Sequence, residues 1–191
     1  MNDAYFFGYG SLVNRQTHLH APNFPARLKG WRRVWKSTVL REVAFLSAEP
    51  WEGAVMEGLV AHVPGGDWAA LDLRERAYGR HDVSALCEHE AGPVRVEVYA
   101  VAPEHAAGPD VAHPVLLSYV DTVVQGFAEV FGAAGALRFF ETTAGWPPEV
   151  VDDRAAPAYP RATPVSAEER DFVDAGLRRL GVEQVAASVR A

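Results

Sequence analysis

The spacing of apolar positions changes along the chain, and those changes divide it into elements. Ala4 to Tyr9 is almost wholly apolar and aromatic, which predicts a short strand buried on both faces. Gly8-Tyr9-Gly10-Ser11 then predicts a tight turn, with Ser11 placed to cap a short helical turn through Asn14 and Gln16. Segments 26–40, 42–48 and 53–63 are rich in Val, Leu, Phe and Trp and are divided by turn residues, so three strands are expected. Pro64-Gly65-Gly66-Asp67 breaks that run, and Asp67 is positioned to cap a helix from Trp68 to Tyr78. Two further strands are expected near 81–87 and 94–102, joined as a hairpin by Ala91-Gly92-Pro93.

After Pro114, a residue suited to a first helical position, the period becomes helical. Val115, Leu116, Tyr119, Val120, Val123, Val124, Phe127 and Phe131 recur on one side. Gly132 ends that helix, and 136–143 predicts a second, short one. From Gly145 to Pro164 the chain carries five prolines without periodicity, so an arm packed on the surface or covering a site is expected. Ser166 and Glu169 have capping-box spacing and open a last helix at about 166–180, with Phe172, Val173, Leu177 and Leu180 inward. The tail after Gly181 is expected to fray. Strands first and helices afterwards predict an α+β fold whose mixed or antiparallel sheet can curl into a barrel. No internal repeat or domain boundary interrupts 1–191, so a single domain is expected.

Composition narrows the function. The 25 Asp and Glu exceed the 18 Lys and Arg, a net charge of -7, which argues against general affinity for nucleic acid or an anionic membrane. Arg32, Arg33 and Lys36 among Trp31 and Trp35 fit a two-sided strand. With Cys87 the only cysteine, neither an internal disulfide nor a thiolate metal cluster can form. The N-terminus lacks a basic segment followed by an apolar run, and no stretch approaches the roughly 20 apolar residues of a membrane helix. A cytoplasmic protein is expected.

Two features carry chemistry. On a helix from Trp68 to Tyr78, Trp68, Leu71, Glu75 and Tyr78 share a face, with Asp72 beside them and Arg74 and Arg76 pointing elsewhere. Glu75 thus lies in the inward stripe. A carboxylate there is costly unless paired, hydrogen-bonded or protonated. It is either a buried salt bridge, with Arg80 or Arg41 as partner, or a functional acid/base. The second feature is Phe7-Gly8-Tyr9-Gly10-Ser11-Leu12, where a strand end and glycine turn leave backbone N–H groups to hold a carboxylate or developing oxyanion. It lacks the later glycine of a dinucleotide fingerprint and the Gly-Lys-Ser of a phosphate loop.

Together these segments resemble the γ-glutamylcyclotransferase superfamily, most closely its ChaC-like branch. Phe7-Gly8-Tyr9-Gly10-Ser11-Leu12 is similar to its N-terminal signature, and Leu28-Lys29-Gly30-Trp31-Arg32-Arg33 to the next strand. Gly58-Leu59-Val60-Ala61-His62-Val63 is similar to the strand before the catalytic helix, and Leu71-Asp72-Leu73-Arg74-Glu75 to the segment carrying the family's acid/base. The resemblance covers roughly residues 5–145. It implies a mixed, barrel-like sheet with flanking helices, and release of 5-oxoproline by attack of a γ-glutamyl α-amine on its own γ-carbonyl. Glu75 is implied as the proton acceptor, and Phe7, Gly8, Tyr9, Gly10, Ser11, Leu12 and Tyr119 as the substrate-binding residues. No metal or other cofactor is implied; the partner is a small γ-glutamyl substrate, and a homodimer is compatible with the resemblance.

The substrate candidates are glutathione, γ-glutamyl dipeptides and γ-glutamylated amines. Leu12 and the Arg74-Glu75 pair favour the glutathione-directed branch, while Phe139-Phe140-Glu141-Thr142-Thr143 and the proline-rich arm depart from the short ChaC form. A non-catalytic module that binds a small acidic metabolite is the alternative, as is removal of a γ-glutamyl protecting group in a biosynthetic pathway. His18-x-His20 lacks the further ligands of a zinc site, a Cys87-His dyad lacks a third member, and Ser11 is not in a nucleophile elbow. Arg154 and Arg161 of the arm are candidates to meet the substrate's carboxylate or leaving group.

Overall fold

The computed structural model describes residues 3–108 and 110–187. Strand β1 (Ala4–Gly8) is buried throughout because it runs through the middle of a mixed sheet. It pairs antiparallel with β3 (Phe45–Val63) on one side and parallel with β6 (Arg95–Val101) on the other. Alternate side chains serve two cores, as the two-residue repeat of a strand requires. Tyr5 and Phe7 join the larger cluster, while Ala4 and Phe6 join a smaller one with Leu12, Leu71 and Tyr99. An unbroken apolar run at β1 is the consequence.

The sheet order is β4 (Tyr78–Asp82), β6, β1, β3, β2 (Asn23–Lys36), β5 (Cys87–His89), with β8 (Thr143–Ala144) also on β2. Its outer strands do not pair with each other, so the expected barrel-like sheet is open. Three expected strands become the two long ones, β2 and β3. Lys29 faces Val55 but Trp31 faces Pro50, so residues 51–54 bulge opposite Gly30, whose φ is +73°. The break expected between 48 and 53 is this bulge; the ladder resumes on the same partner. The expected 81–87/94–102 hairpin is also rearranged: β4 pairs with β6, whereas β5 crosses to β2.

The larger cluster is closed by α2 (Leu117–Thr142), which is interrupted at Gly132 (φ 68°, ψ -178°). Gly132 therefore ends one helical run and starts the next, as the sequence predicts, in a conformation open only to glycine. The helix starts three residues later than expected because Val115–Leu116 form β7. By length and mean hydropathy (1.2) α2 could cross a membrane. It instead buries Val120, Val123, Phe127 and Phe139 against the sheet, each worth about 1.5–3 kcal/mol. Arg33 is buried there too, its guanidinium donating to Thr142 Oγ1, Thr143 Oγ1 and the Glu57 carbonyl.

The proline-rich arm is not structureless. It contains β9 (Glu149–Asp152), which pairs in parallel with β7 and with β10 (Glu183–Ala186). Residues 183–186, expected to fray, are thus the edge of a second sheet. Helix α3 (Ala167–Arg179) has the predicted capping box between Ser166 and Glu169. Val173 and Leu177 face inward, while Leu180 is 38% exposed just past the helix end.

Candidate active site

The site forms where β1 ends. After Gly8 the chain makes a 3-10 turn over Ser11–Val13, closed by Val13 N–H donating to the Gly10 carbonyl (2.9 Å) and Asn14 N–H to that of Ser11 (3.2 Å). Ser11 does not cap the following turn. Asn14 does, its side chain accepting from Gln16 N–H. The amides that open such a turn, those of Ser11 and Leu12, have no partner within it. Gly10 is required by close approach: a Cβ there would lie 2.6 Å from the Tyr119 hydroxyl.

Glu75 is brought to this turn by a helix shorter than expected. Helix α1 (Ala69–Arg74) is six residues long, and Glu75 is its C-cap, not the middle of an inward stripe. The Glu75 N–H donates to the Leu71 carbonyl (2.8 Å), and its own carbonyl accepts from Tyr78 N–H (2.8 Å). Asp67 does bond near the helix start, accepting from Ala69 N–H, although Trp68 is the N-cap.

Neither Arg80 nor Arg41 pairs with Glu75. Its partner is Arg74, whose Nε lies 3.0 Å from Glu75 Oε1. The rest of the Arg74 guanidinium donates to the Thr17 carbonyl (3.0 Å) and to Ser11 Oγ (3.2 Å). One side chain thus ties the carboxylate to the glycine turn. A helical wheel points Arg74 away from Glu75, but the backbone leaves helical geometry at Glu75 (φ -101°, ψ 31°), so the carboxylate departs from its wheel position and comes within reach of the Arg74 guanidinium. Arg80 is committed to Asp72 and Glu97.

Glu75 lines two spaces that share part of their walls. A cleft of about 280 Å³ lies on one side, lined by Leu46, Tyr78, Tyr119 and Tyr159 among others. On the other is a recess of about 30 Å³, the size of one water molecule, lined by Phe7 to Leu12 and by Tyr99. Ser11, Glu75 and Tyr119 border both. The structure therefore brings together the eight residues that the resemblance implies, Phe7 to Leu12, Glu75 and Tyr119, in two ways. Gly10, Ser11, Glu75 and Tyr119 present atoms to the space. Phe7 and Leu12 reach it from two different cores, and the Tyr9 hydroxyl is spent on the Tyr99 carbonyl (2.6 Å).

Burial sets the protonation. The Glu75 side chain is 16% exposed, and desolvation raises its pKa above the usual carboxylate range, opposed by the charges of Arg74 and Arg161. Burial likewise raises the phenols of Tyr9, Tyr78 and Tyr119, which therefore remain protonated donors. The Tyr78 hydroxyl is held by the Leu46 carbonyl (3.0 Å), while that of Tyr119 lies against the Ser11 backbone.

The arm supplies one wall through Ala158, Tyr159, Pro160 and Arg161, with the Tyr159 ring edge-on to Tyr119 at 4.9 Å. Asp153 anchors it. Its carboxylate accepts from the Ser118 N–H and hydroxyl (2.8 and 2.6 Å) and from Ala158 N–H (2.8 Å), tying the arm to the first turn of α2. Arg154 is taken from the site by Asp121 and Asp174. Arg161 lines the cleft. Arg74, Asp153 and Tyr159 escaped sequence reasoning, since their roles depend on contacts between distant segments.

The features set aside are accounted for. His18 Nε2 bonds the Leu12 carbonyl and Nδ1 accepts from His20 N–H, so both its ring nitrogens are occupied. Burial pushes the Cys87 thiol up to about 12, far from a reactive thiolate.

No family model and no curated protein sequence matches the chain. Solved structures do. The fold is similar to that of an uncharacterized protein from Homo sapiens, at 16% identity and a TM-score of 0.58, over 91% of this chain and 99% of that one. It is also similar to a structure described as γ-glutamyl cyclotransferase, at 16% identity and a TM-score of 0.57, with the same coverage. YkqA of Bacillus subtilis is similar at 21% identity and a TM-score of 0.51, over 76% of this chain and 57% of that one. The open mixed sheet, the helices on its faces and these likenesses together give the chain the γ-glutamylcyclotransferase-like fold.

Proposed function

We propose that the protein is a soluble cytoplasmic γ-glutamylcyclotransferase, which cleaves a γ-glutamyl amide by internal attack of the α-amine and releases 5-oxoproline and a free amine. The observation that carries this is the position of Glu75, a largely buried carboxylate of raised pKa between an open cleft and the glycine turn. The fold shared with a γ-glutamyl cyclotransferase agrees with it.

The reaction follows from the parts. A free α-amine has a pKa near 7.7–8.0, so the substrate arrives largely as ammonium. Desolvated carboxylate at Glu75 takes one proton from it. The amine nitrogen then bonds to the γ-carbonyl carbon, giving a tetrahedral oxyanion. The Leu12 amide and the Tyr119 hydroxyl, whose oxygen is held by the Ser11 backbone, are the donors for that oxygen, each such donor being worth about 3–4 kcal/mol in acyl transfer. The carbon–nitrogen bond to the leaving amine breaks as Glu75 returns that proton to its nitrogen. Glu75 then takes the second proton from the ring nitrogen and passes it to the freed amine, which leaves as ammonium. Nucleophile and electrophile belong to one molecule, so holding the glutamyl chain curled lowers the barrier further. Arg74 fixes Glu75 against the turn throughout.

The test is 5-oxoproline release from glutathione, γ-glutamyl-alanine and N-ε-(γ-glutamyl)lysine. Release from at least one supports the proposal, and the preferred compound assigns the branch. A folded protein that binds these compounds without releasing 5-oxoproline would instead be a metabolite-binding module.

A further inference from the structure

The glycine turn is held from behind, on the side away from the cleft. The Ser11 carbonyl accepts from Asn14 N–H (3.2 Å) and from the Thr17 hydroxyl (2.8 Å). The Asn14 carbonyl is the more distant acceptor for that hydroxyl, at 3.0 Å, so its single proton goes to Ser11. On its other side Thr17 receives Arg74, whose guanidinium donates to the Thr17 carbonyl (3.0 Å) and approaches Oγ1 (3.4 Å). Thr17 thus bridges the turn to the ion partner of Glu75.

The Ser11 carbonyl and the Leu12 N–H are the two ends of one peptide unit. That unit is planar and conjugated, so a donor on the oxygen draws electron density towards it. The N–H at the other end becomes a stronger donor, and its direction is fixed once the oxygen is held. A donor aimed at charge that develops only in the transition state acts on kcat and not on substrate binding.

Resting on the cyclotransferase reading, we infer that Thr17 is a positioning residue of the reaction. Its hydroxyl orients and polarises the Leu12 amide that meets the oxyanion, and its contacts with Arg74 keep that amide in register with Glu75. Thr17 lines neither the cleft nor the recess, so it acts through the peptide unit. The hydroxyl carries the role, which serine can fill and valine cannot.

Thr17→Val keeps the shape of the side chain and removes the hydroxyl; Thr17→Ser keeps the hydroxyl. Both are assayed with the γ-glutamyl compound that the wild type prefers. In Thr17→Val, kcat for 5-oxoproline release is expected to fall about fivefold, as for one lost hydrogen bond. KM should stay within about twofold, and Thr17→Ser should restore kcat to within about twofold of wild type. The Leu12 amide reports the cause without substrate. In isotope-labelled protein its proton and nitrogen resonances are expected to move upfield in Thr17→Val and to stay near the wild-type positions in Thr17→Ser. If Thr17→Val does not fold, Thr17→Ala gives the same comparison. An unchanged kcat without the hydroxyl, a loss carried by KM, no rescue by serine or an unmoved Leu12 resonance overturns the inference while leaving the reaction intact. No 5-oxoproline from any compound overturns the cyclotransferase reading itself, and the inference with it.

Discussion

Gly10→Ala tests the geometry of the site without any substrate. The added methyl would lie 2.6 Å from the Tyr119 hydroxyl oxygen, 3.2 Å from Leu46 Cδ2 and 3.8 Å from Tyr119 Cζ. Carbon and oxygen need roughly 3.5 Å, so the Tyr119 ring must retreat by about 0.9 Å. It has little room, because Trp35 and Tyr159 pack on it edge-on at 5.8 and 4.9 Å. Overpacking of this kind costs about 1–3 kcal/mol. The replacement also reduces the freedom of the unfolded chain, which offsets about 0.4–1 kcal/mol. A double-mutant cycle removes that second contribution. In a Tyr119→Phe background the 2.6 Å contact is gone while the backbone effect is unchanged, so their difference isolates the clash. Urea denaturation of the four proteins should give a coupling of about 1–2 kcal/mol, with Gly10→Ala far less harmful once the hydroxyl has been removed. Additive effects within about 0.3 kcal/mol would refute the placement of Tyr119 over the glycine turn.

Other consequences can be checked in the same preparations. Because burial raises the folded-state pKa of Glu75 above its unfolded value, the folded protein binds this proton more tightly. The stabilisation that follows is present at low pH and is lost as pH rises from the unfolded value through the folded one. Thermal melts should therefore show Glu75→Gln at least as stable as the parent at pH 7, with the advantage shrinking towards pH 4; a strongly destabilised variant at pH 7 would contradict this. Arg74→Met removes a charge and a hydrogen bond that lower the Glu75 pKa, so the acid limb of the pH–rate profile should move to higher pH; a limb moving down would argue against the pairing. Asp153→Ala removes the acceptor for Ser118 and Ala158. It should cost roughly 2–4 kcal/mol in denaturation, the loss of a helix cap together with a charge-assisted hydrogen bond, and should raise KM because the arm forms a wall of the cleft.

The parts legible in the sequence are those fixed by local rules. The run at β1 is apolar on both faces because each face has its own core, and an unbroken run is the local trace of that arrangement. The capping box at Ser166 and the break at Gly132 likewise follow from residues within one turn. What the sequence did not disclose depends on distant partners. β9 hides among prolines because Glu149-Val150-Val151-Asp152 is too short to show alternation, and its parallel neighbours lie more than 30 residues away on either side. The crossing of β5 to β2, away from the strand that follows it, has no local signal. At the candidate site, Glu75 and the glycine turn stand out because an inward carboxylate and a Gly-x-Gly strand end are locally unusual. Arg74 was misplaced because a six-residue helix ends there, and its guanidinium takes its direction from Thr17 and Ser11, residues on another segment.

The central claim is that Glu75 moves the proton in a cyclisation, and one comparison tests it most directly. Wild type and Glu75→Gln would be assayed for 5-oxoproline release from the preferred γ-glutamyl compound, with binding of that compound to both measured by calorimetry. The account predicts release by wild type, a loss of about 10²-fold or more in the variant, as expected for removal of a general acid–base, and an affinity that is similar or tighter. Turnover by Glu75→Gln at the wild-type rate would contradict it.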